Sequence, residues 1–469
     1  MIPASVAAGR RRVVVTGAGV VSPLGDSPAA LHRALAEGAS ARKPIELFET
    51  TGIGCREAGE IRPFDPQGYV GERNLRPLDR TSRLRVVAAQ LALADSGWAP
   101  GGQPRPAGAQ PGPARPPGEP SATDPQPAAE VGLVVGTTFC SVRTIAEFDR
   151  RALRLGPTHA SPLDFANSVI NAAAGQAAIW HGLRGVNSTL AGGEASGLQA
   201  IAQATELIRA GRADAVLAGG AEELCFESFF GYYRAGRLCG SRRRDGEADA
   251  AGHAGPGGDA GGERPVPFDA RRNGFSLAEG AALLMLEEAG AAAARGVTQR
   301  TDGPGGSAAV RAEVLGWGAA FAAEGSSSGL AAAMARAVRL ALADAGVTPW
   351  EIGCLSASAS GSVEVDRAEA QGVAAALGER AATLPVTAIK AMLGEGLGVS
   401  AAWQVVDMVE TIGDGVLPGI AGFESAEPEM PLRGVAAATR HLAAAERQRA
   451  LVTAAGADGH CAALVLGAP

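Results

Sequence analysis

Aromatic residues are scarce, at 4% of 469 positions, so the interior must be built from aliphatic and small side chains. The six cysteines (55, 140, 225, 239, 354 and 461) include no C-x-x-C pair. That excludes a disulfide framework or a zinc site and implies the reduced thiols of a cytoplasmic protein, with no metal. Basic residues are not in excess: the formal net charge is −7, which leaves no electrostatic footprint for nucleic acid. No apolar run approaches the roughly 20 residues of a membrane span. The opening MIPASVAAGRRRVVV has no apolar stretch ahead of its basic cluster, so it does not read as a secretory signal. What is plentiful is alanine and glycine, the latter at 65 positions, which suits helices packed closely on sheets. A chain of this length buries one large core or two fused ones.

The stretch GVNSTLAGGEASGLQAIAQATELIRAG, from Gly185 to Gly211, reads as a short strand, a tight glycine turn and a helix. Leu198, Ile201, Ala202, Thr205 and Ile208 recur at the spacing of one helical face, and Gly211 stands where a helix-ending glycine belongs. The following DAVLAGG reads as a buried strand. A side chain at such a strand-to-helix turn lies near free backbone N–H groups that favour negative charge, and here the turn carries Glu194. Near the N-terminus, RVVVTGAGVVSPLG predicts an apolar strand running into a glycine turn. Its Gly17-Ala18-Gly19 does not make a dinucleotide site, because the third glycine is absent and Pro23 follows closely.

Residues 80 to 97 form a helix ending in LALADSG, and LALADAG recurs at Leu340. Each copy is followed by an apolar strand, VGLVVGTT in one case and IGCLSASAS in the other, which predicts two similar α/β halves. Two Gly- or Pro-rich polar stretches, about 100–128 and 242–264, read as disordered surface insertions, and a third loose insertion of Gly-rich polar sequence covers about 298–306. The halves accordingly span 10–297 and 309–469.

Several long segments, in order, resemble the β-ketoacyl-acyl carrier protein synthase family. They are TGAGVVSPLG, the stretch Ser161 to Asn187, GVNSTLAGGEASG, PFDARRNGFSLAEGAALLMLEE, the stretch Ser356 to Val373, and AIKAMLGEGLGVSAAWQ. The resemblance implies a thiolase-like fold: two pseudo-repeated α/β halves in a five-layer αβαβα arrangement. It implies no cofactor.

It also locates the chemistry. The family takes its acyl chain on a cysteine and uses two histidines to hold the extender thioester and stabilise its enolate. The cysteine position is Glu194 here, the histidine positions are Ser358 and Glu395, and of the usual set only Lys390 is retained. Lys390 is expected to serve as an ion-pair partner for Glu194 or Glu395, with Glu194 also accepting from the helix N-terminus. The C-terminal gating loop reads GADGHC, so Gly456 and Gly459 flank a segment whose phenylalanine is replaced by Ala457. His460 and Cys461 are adjacent and, on a strand, point to opposite faces, so they do not form a dyad. His181 reads as a helix-end packing residue.

Among members of the family the pattern is similar to that of chain length factors, the ketosynthase β subunits of type II polyketide synthases. The resemblance therefore implies a non-catalytic subunit. It would pair with an active ketosynthase as a heterodimer and serve an acyl carrier protein bearing a phosphopantetheine-bound chain. Two alternatives stay open: an acyltransferase using Glu194 as a carboxylate nucleophile, and a scaffold that binds acyl chains or a carrier protein. The dimer face is expected at Phe139 to Gly156, where Val142, Ile145 and Phe148 share one face of a helix and line the tunnel.

Overall fold

The computed structural model describes residues 10–71, 74–99, 103–104, 131–241, 262–299 and 309–469. Five strands belong to the first half: β1 (Val13–Val21), β2 (Val131–Thr137), β3 (Asn187–Ala191), β4 (Ala215–Glu222) and β5 (Gly280–Glu288). Five belong to the second: β6 (Ala312–Phe321), β7 (Cys354–Ser356), β8 (Val386–Thr387), β9 (Arg449–Ala455) and β10 (His460–Gly467). They form one continuous sheet in the order β3-β2-β4-β5-β1-β6-β10-β9-β7-β8. Counted within its own half, each set of five has the order 3-2-4-5-1. Directions match too: β2 is parallel to β3 and β4, and β7 to β8 and β9, while the last two pairings of each half are antiparallel. The halves meet at β1 and β6 through two facing pairs, Val14 with Glu313 and Val15 with Ala312.

Among the helices of the described residues are α1 (Arg80–Asp95), α2 (Val142–Leu155), α3 (Ala172–His181), α4 (Ser196–Arg209), α5 (Phe226–Arg234), α6 (Ser327–Ala345), α7 (Val363–Leu377) and α8 (Ser400–Asp414). α1 and α3 cover the outer face of the first half, and α6 backed by α7 covers the second. α4 and α8 lie between them, each touching strands of both halves. This is the five-layer αβαβα arrangement of a thiolase-like fold. The predicted face of α4 (Leu198, Ile201, Ala202, Thr205 and Ile208) is buried. α8 is buried continuously from Ser400 to Ile412, as a helix enclosed on all sides must be.

The two copies of the internal repeat occupy equivalent places. Leu91–Gly97 ends α1 and Leu340–Gly346 ends α6, and the closing glycines Gly97 and Gly346 are both left-handed, with φ of 75° and 66°. One expectation fails: Gly17-Ala18-Gly19 is not a turn, because β1 continues through it, with a register shift against β5 between Val15 and Gly17. The strand needs glycine there because α1 crosses so closely that a Cβ on Gly17 would sit 2.6 Å from the Ser96 nitrogen, and one on Gly19 would collide with the Ala88 carbonyl.

The insertions predicted at about 100–128 and 242–264 lie largely outside the described residues. At their edges Gln103–Pro104 pairs with Trp98–Ala99, and Glu263 is held by Arg42 at 3.0 Å. The third, about 298–306, begins with Thr298–Gln299 paired to Ala309–Val310, and its remainder is likewise outside. Among the described residues no helix is long and apolar enough to cross a membrane, and all six cysteines are free and buried.

Candidate functional site

β3 ends at Ala191 and α4 begins at Ser196, and Gly193 at φ 59° makes the tight turn between them. This turn packs against the Leu397–Val399 turn and against β9 and β10, so the elbow of the first half meets the strand ends of the second. The Glu194 carboxyl takes its hydrogen bond from the Tyr232 phenol of α5, which donates to Oε1 at 3.2 Å. The Asp458 carboxyl lies between Gly193 and Gly456, where a Cβ on either glycine would strike it. A Cβ on Gly456 would also lie 2.6 Å from Glu194 Oε2.

Ser358, Lys390 and Glu395 come together in one buried network, each 3% exposed. Lys390 Nζ donates to Ser358 Oγ at 3.1 Å and to Glu395 Oε2 at 2.7 Å. Glu395 Oε1 accepts from the Leu397 amide at 2.8 Å and the Ser400 hydroxyl at 2.6 Å. The Ser358 amide donates to Glu369 Oε1 at 2.8 Å, and Ser358 Oγ accepts from the Ala455 amide at 3.1 Å. Of the two carboxyls expected for Lys390 it is Glu395 that pairs with it, while Glu194 receives the Tyr232 hydroxyl in addition to its own backbone N–H at the start of the helical turn. The physical reason is reach: Glu395 is held beside the ammonium by two further donors, whereas Glu194 is held at the phenol.

Chemically, among the described residues the site gathers three carboxyls, Glu194, Asp458 and Glu395, around the Lys390 ammonium. Burial first, then the Glu395 and Asp458 charges, push the Glu194 carboxyl up to about 7, against the opposing pull of its own backbone N–H and of Lys390. The same surroundings hold the Tyr232 hydroxyl far above its usual range, with burial the leading cause, so it remains a donor. Burial likewise pushes Glu369 up to about 7 and Glu223 up to about 8.

His460 Nδ1 lies 3.1 Å from Asp458 Oδ2 and its ring packs on Phe321 at 4.9 Å, whereas Cys461 is buried with its thiol toward the Leu330 carbonyl. They face opposite ways, as alternation requires. Ala457 tops the β9–β10 turn that Gly456 and Gly459 shape, with Gly459 at φ 96°. His181 closes α3 and bonds the Val86 carbonyl at 2.8 Å. Val142, Ile145 and Phe148 lie on α2 and are half-buried; no residue of that helix is fully buried. Phe148 packs on Phe165 at 5.7 Å. Sequence reasoning missed Tyr232, Asp458 and Phe139, whose ring meets Tyr232 at 6.0 Å.

A carboxyl whose pKa is raised on folding binds its proton more tightly in the folded state. Its stabilising contribution is complete below its unfolded value and is lost as pH rises through the folded value. With Glu194 and Glu369 at about 7 and Glu223 at about 8, stability is expected to fall between about pH 5 and about pH 8. Glu194→Gln keeps an acceptor for Tyr232 but cannot ionise, and should remove on the order of 2 kcal/mol of that decline. Urea titrations across this range test it; an unchanged slope in the variant contradicts the assignment.

The family description "Beta-ketoacyl synthase, N-terminal domain" matches residues 10–292, and "Beta-ketoacyl synthase, C-terminal domain" matches residues 311–424. The chain belongs to the β-ketoacyl synthase family. Within it, the chain is 31% identical over 459 residues to the tetracenomycin polyketide synthase ketoacyl synthase beta subunit of Streptomyces glaucescens, covering 97% of this chain and 98% of that protein. It is also 31% identical over 436 residues to the corresponding alpha subunit, covering 90% and 89%. Among solved structures, the ishigamide ketosynthase/chain length factor is similar at a TM-score of 0.80 and 26% identity, with 98% of this chain and 100% of that one covered.

Proposed function

We propose that this chain is a non-catalytic, chain-length-determining subunit that pairs with an active ketosynthase to elongate acyl chains on a carrier protein in type II polyketide or fatty-acid-like biosynthesis. The observation that carries the reading is the occupancy of the elbow and its facing network by Glu194, Ser358, Lys390 and Glu395, with no thiol or imidazole among them. Loss of a single oxyanion donor typically costs about 100- to 1000-fold in rate. Here both imidazole positions are changed, and a carboxylate at Glu395 would oppose an enolate. The equal identity to an alpha and a beta subunit leaves the decision to these side chains. A carboxylate nucleophile at Glu194 is disfavoured because its Oε1 is engaged by the Tyr232 hydroxyl at 3.2 Å and neither imidazole position of the family carries a histidine to stabilise an oxyanion.

Co-expression with a ketosynthase encoded beside this chain, and purification on a tag carried by this chain, tests the reading. A stable complex that condenses malonyl-carrier protein, and still does so after Glu194→Ala, supports it. Purification of the chain alone with an acyl adduct at Glu194 replaces it with the nucleophile reading.

Tunnel shaping is assigned to α2, where Val142, Ile145 and Phe148 are available to the space between subunits. Val142→Trp is expected to shorten the product of the complex by one or more extension units without stopping synthesis. Unchanged length in an intact complex rules out this role for Val142.

A further inference from the structure

An elbow that no longer carries a nucleophile could still admit an acyl chain, and a stray binding site would compete with the partner's. The contacts around Glu194 bear on this directly. Tyr232 stands in front of the elbow with its hydroxyl on Glu194 Oε1 at 3.2 Å. Its ring is gripped edge-on from two sides, by Phe139 with centroids 6.0 Å apart and by Phe275 at 5.4 Å. The interplanar angles are 66° and 71°, the edge-to-face geometry that aromatic rings prefer. Phe139 comes from the loop after β2, Tyr232 from α5, and Phe275 from the segment before β5, so three separate elements converge on one place. Phe275 is 4% exposed and forms part of the apolar cluster that also includes Phe229, Leu277 and Leu397, so the wedge is anchored in the core.

We propose that Tyr232, held between Phe139 and Phe275, is a built-in occupant of this subunit's own acyl site. The ring takes the apolar space in front of the elbow that an alkyl chain would use, and the hydroxyl satisfies the carboxyl behind it. Tyr232 is thus a specificity-determining residue: it denies acyl chains this elbow and leaves the partner's as the only one open. The inference rests on the reading of the chain as a ketosynthase subunit, but its test does not require a partner.

The probe is octanoyl-pantetheine carrying a diazirine on the alkyl chain, added to the full chain in whatever assembly it purifies, with labelled peptides assigned to this chain by mass spectrometry. The wild type is expected to show no labelling above background at the elbow peptides, residues 187–197 and 456–460. Tyr232→Ala should raise labelling there at least about tenfold, and Tyr232→Phe, which keeps the ring but loses the hydroxyl, should not. Phe139→Ala, expected to loosen the wedge from the other side, provides a second opening variant should Tyr232→Ala fold poorly; circular dichroism checks each. Labelling of the wild-type elbow, or none in either opened variant, overturns the proposal. Failure to co-purify with a ketosynthase would count against the pairing and leave this result readable.

Discussion

Replacing Phe165 and Ile170 together by aspartate is expected to abolish co-purification of a ketosynthase partner, with affinity reduced at least about 100-fold. The expectation starts from β3, which ends the sheet on one side and presents a row of unpaired backbone groups. The chain leading into it, through α2, the Pro162–Asn167 turn of helix and α3, carries large apolar side chains in the open. Leu153 is 86% exposed, Leu163 and Phe165 61% each, Ile170 42% and Ile179 72%. An apolar surface of this extent beside an open strand edge is what an interaction face requires. Two aspartates placed on that surface would be desolvated without partners on binding. Trp350→Asp serves as the control, since Trp350 is 64% exposed but lies in the second half, beyond α6. Equal loss of the complex in the control, or its survival in the double variant, would move the interface elsewhere.

The second large effect concerns stability. Lys390→Met should lower the free energy of unfolding by about 3–5 kcal/mol, because it strands the buried Glu395 carboxylate that the ammonium holds at 2.7 Å. Lys390→Met combined with Glu395→Gln should restore most of the loss, since the Leu397 amide and Ser400 hydroxyl still have an oxygen to meet. Urea denaturation of both variants measures it. If the single variant is as stable as the wild type, the pair contributes nothing, and the retention of Lys390 needs another explanation.

The architecture could be read from the residues wherever geometry left a local trace. The repeated LALAD helix ends mark equivalent positions because each must close on a left-handed glycine before the next strand. The face of α4 was visible because its burial is periodic. The glycines of β1 misled because a glycine needed for close helix approach and one needed for a turn look the same in one dimension. At the site, the pattern placed Glu194, Ser358, Lys390 and Glu395 by resemblance, and the fold brings their segments together. It could not choose between Glu194 and Glu395 as the partner of Lys390, because that depends on which carboxyl is held in reach by other donors. Tyr232 gave no signal, since it arrives from α5 and no spacing along the chain connects it to Glu194; Asp458 sits in the GADGHC loop that the resemblance had brought to the site, but nothing in that pattern singled it out.

The seam between β1 and β6 has a further meaning. With two facing residue pairs joining ten strands at the middle, and identical strand orders on either side, the chain is internally a dimer of half-units clasped around α4 and α8. The two halves divide labour unequally, since the elbow belongs to one and Ser358, Lys390 and Glu395 to the other. Paired with a partner of the same fold, four such half-units would be related by approximate twofold axes. Symmetry of the scaffold and asymmetry of the chemistry are then separate properties, and a few side chains at strand ends suffice to change the second while leaving the first intact.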